Sequence, residues 1–161
     1  MTRSRARFTA VLAVGLLAVS MLATAQSKDP FVGSWRLNVA KSKYSPGPAP
    51  KAQTSTYEAA GAGYKVTVKS EPASGPMQEW SYTAAFDGKD SPVTGNNPNA
   101  DAIAVKRINA TTLESINKKG GKTTVTQRNV VAADGKTRTV TTTGTDGQGK
   151  AVNNTAVFEK Q

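Results

Sequence analysis

The sequence predicts an all-β protein, an antiparallel up-and-down β-barrel of about eight to ten strands preceded by a signal peptide. Three observations lead there. Segments alternate apolar and polar residues with a period of two, turn signatures of Gly, Asp and Pro separate them at fairly even spacing, and no helical period of about ten residues follows residue 25. A closed barrel is the expected solution because no helix is available to cover the edges of an open sheet.

Residues 1–25 read as a cleavable secretory signal. Arg3, Arg5 and Arg7 supply a positive start, residues 8–22 form the apolar stretch, and Ala23 and Ala25 place small side chains at the −3 and −1 positions before Gln26. The apolar run is about 15 residues, short of the ~20 that span a bilayer, so no transmembrane segment is expected in the mature chain. Residues 26–30 form a polar leader and residues 31–161 the barrel domain. Removing 25 of the 161 residues leaves 136, enough for one hydrophobic core, and loss of the three arginines lowers the net charge from +10 to +7. Cysteine is absent, which excludes both a lipid anchor and a disulfide framework. The expected product is a secreted, unlipidated, periplasmic or extracellular monomer. Its lysines are scattered over turns and strand ends and form no basic arm, so no nucleic-acid partner is expected.

Taken in order, residues 31–38 are the first strand, with Trp35 and Leu37 on one face. Residues 39–50 contain Pro46, Pro48 and Pro50 at every second position, which blocks helix and sheet alike and predicts a loop across one end. Strands follow at 52–59 and 64–70 around a Gly61/Gly63 turn, and a Pro/Gly turn leads to residues 77–86, where Trp80, Tyr82, Ala84 and Phe86 share a face. Asp87-Gly88, residues 118–122, Asp134-Gly135 and residues 146–149 carry the turn chemistry that joins antiparallel strands. Between them lie strands near 91–93, 102–108, 112–117, 123–133, 136–144 and 152–160. The threonine-rich stretch from Thr123 to Thr145 fits two solvated strands, since threonine is β-branched.

Absences narrow the chemistry. With neither His nor Cys, a Ser–His–Asp arrangement, a thiolate nucleophile and the usual zinc ligand sets cannot be assembled. Asp87, Asp134 and Asp146 precede turn glycines and read as turn residues, while Glu58, Glu79 and Glu114 fall within strands. The loops Asp87-Gly-Lys-Asp90 and Asn96-Asn-Pro-Asn-Ala-Asp101 offer oxygen atoms but not the calcium-loop spacing, so neither a metal nor a catalytic site is assigned, and no cofactor is expected. Trp80, Tyr82 and Phe86 on one face would either fill a barrel interior or line a ligand cavity. Arg107, Arg128 and Arg138 lie in predicted strands, where an inward guanidinium would clamp an anion and an outward one would meet water.

Phe31-Val-Gly-Ser-Trp-Arg-Leu37 resembles the opening strand of the lipocalins and fatty-acid-binding proteins, the calycin barrels, whose Gly-x-Trp motif sets a tryptophan across the closed end. The resemblance implies a structural role for Trp35 as a barrel plug. Thr155-Ala-Val-Phe-Glu-Lys160 is similar to the last strand of fatty-acid-binding proteins, but Ala156 and Phe158 stand where that family carries the Arg-x-Tyr that holds a ligand carboxylate. The family's helical lid is replaced by the proline-rich loop. The chain also looks like small secreted bacterial lipocalin-like proteins in its Gly-x-Trp strand, its Lys43-Tyr-Ser-Pro-Gly-Pro48 loop and its Asp-Gly-Lys turns. The expected function is non-catalytic binding of a small, partly apolar or amphipathic ligand in the barrel, with Trp80, Tyr82 and Phe86 as the apolar wall and Arg107 or Arg128 as polar contacts. The alternative is an envelope-associated structural or interaction domain that uses its basic outer surface and has no internal ligand.

Overall fold

Alternation of the kind seen in Tyr64, Val66 and Val68 against Lys65, Thr67 and Lys69 buries one face of a strand and solvates the other, so many such strands in series bury their common face either between two packed sheets or inside a barrel. The computed structural model describes residues 29–161 and shows the barrel. The signal peptide expected over residues 1–25 lies outside the described residues. There are eleven strands: β1 (Gly33–Lys43), β2 (Ala52–Ala60), β3 (Gly63–Glu71), β4 (Gln78–Ala84), β5 (Asp87–Pro92), β6 (Thr94–Gly95), β7 (Ala102–Asn109), β8 (Thr112–Lys119), β9 (Lys122–Val131), β10 (Thr137–Thr145) and β11 (Ala151–Lys160). All neighbours are antiparallel, in the order β5-β7-β8-β9-β10-β11-β1-β2-β3-β4-β6. β11 pairs with β1, which joins the two halves of the chain, and the barrel is nearly closed. Only the seam where β4 meets β5 and β7 lacks ladder hydrogen bonds. This all-β architecture fits a calycin-like fold. No helix of the described residues is long and apolar enough to cross a membrane.

The turns follow their local chemistry. Lys119 pairs with Lys122 around Gly120 and Gly121, both with positive φ (57° and 75°), the two-residue turn whose twist matches its strands. Asp134 accepts hydrogen bonds from the backbone N–H of Lys136 (2.8 Å) and Thr137 (3.1 Å), which holds its carboxyl below the usual carboxylate range. At Gly63 the β3 backbone passes so close to β4 that a Cβ would stand 1.7 Å from the Ala84 carbonyl oxygen. The Gly63→Ala variant is therefore expected to lose about 3 kcal/mol or more, the upper range for overpacking, with a matching drop in thermal midpoint by circular dichroism. An unchanged midpoint would show that the β3/β4 pair can spread at no cost.

Three local expectations are corrected. The first strand does not stop at residue 38. It runs to Lys43 past a bulge at residues 39–42, where Asn38 faces Val157 and Lys43 already faces Thr155. Ser42 compensates for the broken ladder: its hydroxyl donates to the Asn38 carbonyl (2.7 Å) and accepts from the Val157 N–H (2.9 Å). The turn expected at Asp87-Gly88 falls one step earlier. β4 ends at Ala84, Phe86 takes a left-handed φ of 62°, and Asp87 already opens β5. Left-handed backbone costs a bulky residue roughly 1–2 kcal/mol, and the Phe86 ring offsets this by packing edge-on to Tyr64 at 4.8 Å. Lastly, β6 is a two-residue strand on the edge of β4 that the period-two reading did not resolve.

One end of the barrel is sealed by residues 29–32. Phe31 is 0 % exposed and sits among Tyr57 and Tyr64, and Trp35 below the sheet interior is also 0 % exposed, its indole N–H donating to the Phe31 carbonyl at 2.8 Å. β1 therefore starts at the closed end, and the strands alternate from there to an open end formed by residues 44–51, 72–77, 96–101, 120–121 and 146–150.

Candidate functional site

Above the aromatic layer the interior is not filled. Tyr64, Leu113 and Phe86 surround only about 10 Å³ of space near the closed end, at the ~10–15 Å³ threshold for admitting a single water. Towards the open end lies a cavity of about 230 Å³, bounded at its mouth by Tyr44, Pro98 and Asp146. This is room for several waters, or for a ligand smaller than those held by the ~300–1,000 Å³ sites that take drug-sized molecules.

Arg138 of β10 forms the floor. It lies between Val131 of β9 and Phe158 of β11 in the register and is 2 % exposed. Nη1 donates to the Tyr57 hydroxyl and to Asn129 Oδ1, both at 2.9 Å, and Nη2 donates to the Ser55 hydroxyl at 2.7 Å, whereas Nε has no partner. The guanidinium carbon stands 4.3 Å from the centre of the Phe158 ring, 5.0 Å from Tyr57 and 5.5 Å from Trp35. These are hydroxyls, an amide and π faces; no carboxylate is among them. Burial accordingly lowers the Arg138 pKa from its ordinary value, which means the interior disfavours the charge that the side chain nonetheless carries. The neighbouring Tyr82 phenol is pushed well above its ordinary value, chiefly by burial, and stays a neutral donor and acceptor. At the mouth, burial pushes the Tyr44 phenol up to about 12.

The walls divide by chemistry. Val66, Val68, Trp80, Val140, Ala156 and Phe158 are apolar, and eight carboxamides share the lining with them: Gln53, Gln78, Asn97, Asn99, Asn117, Gln127, Asn129 and Asn154. The single acid in the lining, Asp146, is spent on its own turn, where Oδ1 accepts from the Gln148 and Lys150 N–H groups at 2.9 and 2.8 Å. Residues 96–101 cap the mouth and are pinned there. Asn99 Oδ1 accepts from the Gly147 N–H at 3.0 Å, and the Asn99 carbonyl accepts from the Thr124 hydroxyl at 2.9 Å. Among the described residues no three acids gather as a metal site would require, either in this loop or at residues 87–90.

Of the side chains expected at the site, Trp80 and Tyr82 line the cavity. Phe86 faces inward but lies in the packed layer beneath it. Arg107 is at the closed end. It pairs with Asp29 at 2.7 Å, hydrogen-bonds the Tyr64 hydroxyl and stacks 4.6 Å from Phe86, so its charge is already satisfied in tying residues 29–32 across the barrel. Arg128 points out of the barrel and pairs with Glu114 opposite it on β8. Trp35 is wholly buried and is not itself part of the cavity lining; its ring lies beneath the Arg138 guanidinium. Arg138, one of the three arginines weighed as an inward clamp, is two residues from Val140, and the missed Gln127 and Asn129 fall between Val125 and Val131, so each shares a face with an inward valine.

No protein-family model, curated protein or solved structure matches this chain.

Proposed function

We propose that the chain is an exported, non-catalytic binding protein of the lipocalin-like kind, holding a small, partly apolar anion inside its barrel. The observation that carries this reading is Arg138, a buried cation that faces a cavity with no acid to balance it. Burying an unpaired charge costs several kcal/mol, and a ligand carboxylate in the cavity that Arg138 helps to line would supply the missing countercharge. The Arg-x-Tyr clamp of fatty-acid-binding proteins is absent from β11, yet Arg138 stands directly opposite Phe158 and bonds the Tyr57 hydroxyl, so a guanidinium and a phenol are paired from different strands. Export follows from the signal pattern of residues 1–25, and the lack of His and Cys leaves the cavity without an evident base or nucleophile. The outer cations support an interaction surface less well, because Lys41, Lys51, Lys69, Lys89 and Lys118 pair with acids around the barrel.

The reading is tested with 8-anilinonaphthalene-1-sulfonate, an anionic fluorescent probe, together with native mass spectrometry of protein from its own host. The probe is expected to bind in one displaceable copy, to respond to Trp80→Phe, and to be displaced by small organic acids; a copurified acid is expected as an adduct. A chain that neither binds the probe nor retains any small molecule would overturn the proposal.

A further inference from the structure

We infer that the ligand carries a single negative charge on an otherwise neutral body, so that the cavity accepts monocarboxylates and sulfonates and rejects phosphate monoesters and dicarboxylates. This deepens the preceding reading and rests on it.

The inference starts from the charge count of the cavity. Among the described residues, Arg138 and Asp146 are the only charged side chains in the lining. Arg138 lies at the floor, held by Tyr57, Asn129 and Ser55, all of them neutral groups. Tyr82 beside it is also a neutral phenol, since burial pushes its pKa well above the ordinary value. Asp146 is an acid and stands at the mouth. Lys119 reaches the mouth loop, but there it donates to the Asn97 carbonyl at 3.4 Å and takes no part in the lining. The floor therefore offers one positive charge to be balanced, and a ligand of charge −1 balances it. This attraction belongs to the guanidinium as a whole and requires no free N–H aimed at the ligand.

A second negative charge has no such partner. On the same head group as the first, as in a phosphate monoester, it must share one guanidinium; at the far end of the ligand, as in a dicarboxylate, it approaches Asp146 and is repelled. In either place it gives up water beside Val66, Val68, Trp80 and Val140 with no cation in return, which is strongly unfavourable. The carboxamides of the lining can donate hydrogen bonds to it but supply no countercharge. With about 230 Å³ available, a ligand the size of one ring displaces much of the water that would otherwise solvate the extra charge. A neutral ligand fails for the opposite reason, because it leaves Arg138 as unbalanced as before.

Benzenesulfonate and phenyl phosphate are close in shape and differ in charge once the phosphate loses its second proton, at a pKa of about 6. Calorimetric titration at about pH 8 compares them, with benzoate and terephthalate as a second pair and benzamide as the neutral control. Each monoanion is expected to bind at least about tenfold tighter than its dianionic counterpart and than benzamide. At about pH 5 phenyl phosphate is again a monoanion, and its affinity is expected to rise at least about tenfold while that of benzenesulfonate stays level, since the chain has no histidine to titrate over this range. Gln53→Lys adds a second cation one inward position from Ser55 and is expected to raise the affinity for phenyl phosphate at about pH 8 at least about tenfold. Thr142→Lys, on the Arg138 face of β10, repeats this test should Gln53→Lys not fold. A dianion that binds as tightly as its monoanionic counterpart, a gap that neither lysine narrows, or a set in which nothing binds although the fluorescent probe does, overturns the inference while leaving the barrel-binding reading in place. If neither the set nor the probe binds, both fail together.

Discussion

Arg138→Met is expected to abolish anion binding, by at least about 100-fold, while leaving the empty protein as stable as the parent or more so. The two halves of this result have separate causes. Truncating a charge that meets a buried ligand carboxylate removes the electrostatic partner in a water-poor site, which typically costs 2–5 kcal/mol. In the empty protein the same guanidinium is a liability: it is 2 % exposed, has an unpartnered Nε, and is balanced by hydroxyls, an amide and ring faces alone. Methionine has comparable length, no charge to desolvate, and a thioether suited to the Trp35 and Phe158 rings. Tyr57, Ser55 and Asn129 would then turn to water in the adjoining cavity, which has room for it. The measurement is paired: probe displacement for affinity and thermal melting for stability. Lost stability with unaltered affinity would make Arg138 a structural cation and remove the main support for an acid ligand. Arg138→Lys is expected to fall between the two, because one ammonium cannot span Tyr57, Asn129 and Ser55 at once.

The largest effect on folding is expected from Trp35→Ala, a loss of about 3–5 kcal/mol out of the 5–15 kcal/mol typical of a domain. Trp35 is fully buried, so its removal leaves a cavity in the layer that Phe31, Leu37 and Phe158 help to build. It also deletes the indole N–H bond to the Phe31 carbonyl and so loosens residues 29–32, the segment that Arg107 and Asp29 hold across the closed end. At roughly 4 °C per kcal/mol for a domain of this size, the thermal midpoint should fall on the order of 15 °C. A fall of only a few degrees would mean that Phe31 and its neighbours collapse into the space. In that event the tryptophan is not the element that closes the barrel.

The sequence was most informative where local chemistry acts alone. Tyr64, Val66 and Val68 announce their strand through spacing, and Gly120-Gly121 announces its turn through backbone freedom. It was weaker wherever a long-range partner casts the deciding vote. Phe86 enters a left-handed conformation because Tyr64 and Arg107, distant in sequence, receive its ring. Arg107 was expected beside a ligand and is instead taken by Asp29, 78 residues away in the chain. The bulge at residues 39–42 depends on Ser42 reaching β11, the last strand to be made.

By itself, then, the sequence determined an all-β chain, its turns, and which residues share each strand face, because a two-residue period is a property of the backbone alone. Which face turned inward in the threonine-rich strands, where valines are few, was decided by the tertiary structure. Closure through the β1/β11 pair sets Arg128 outside against Glu114 and Arg138 inside against Tyr57. Parity sets each of the three arginines on one face of its strand but does not say which of them finds an acid. Their fates differ because the barrel gives an acid to Arg107 and to Arg128, and gives Arg138 an open cavity.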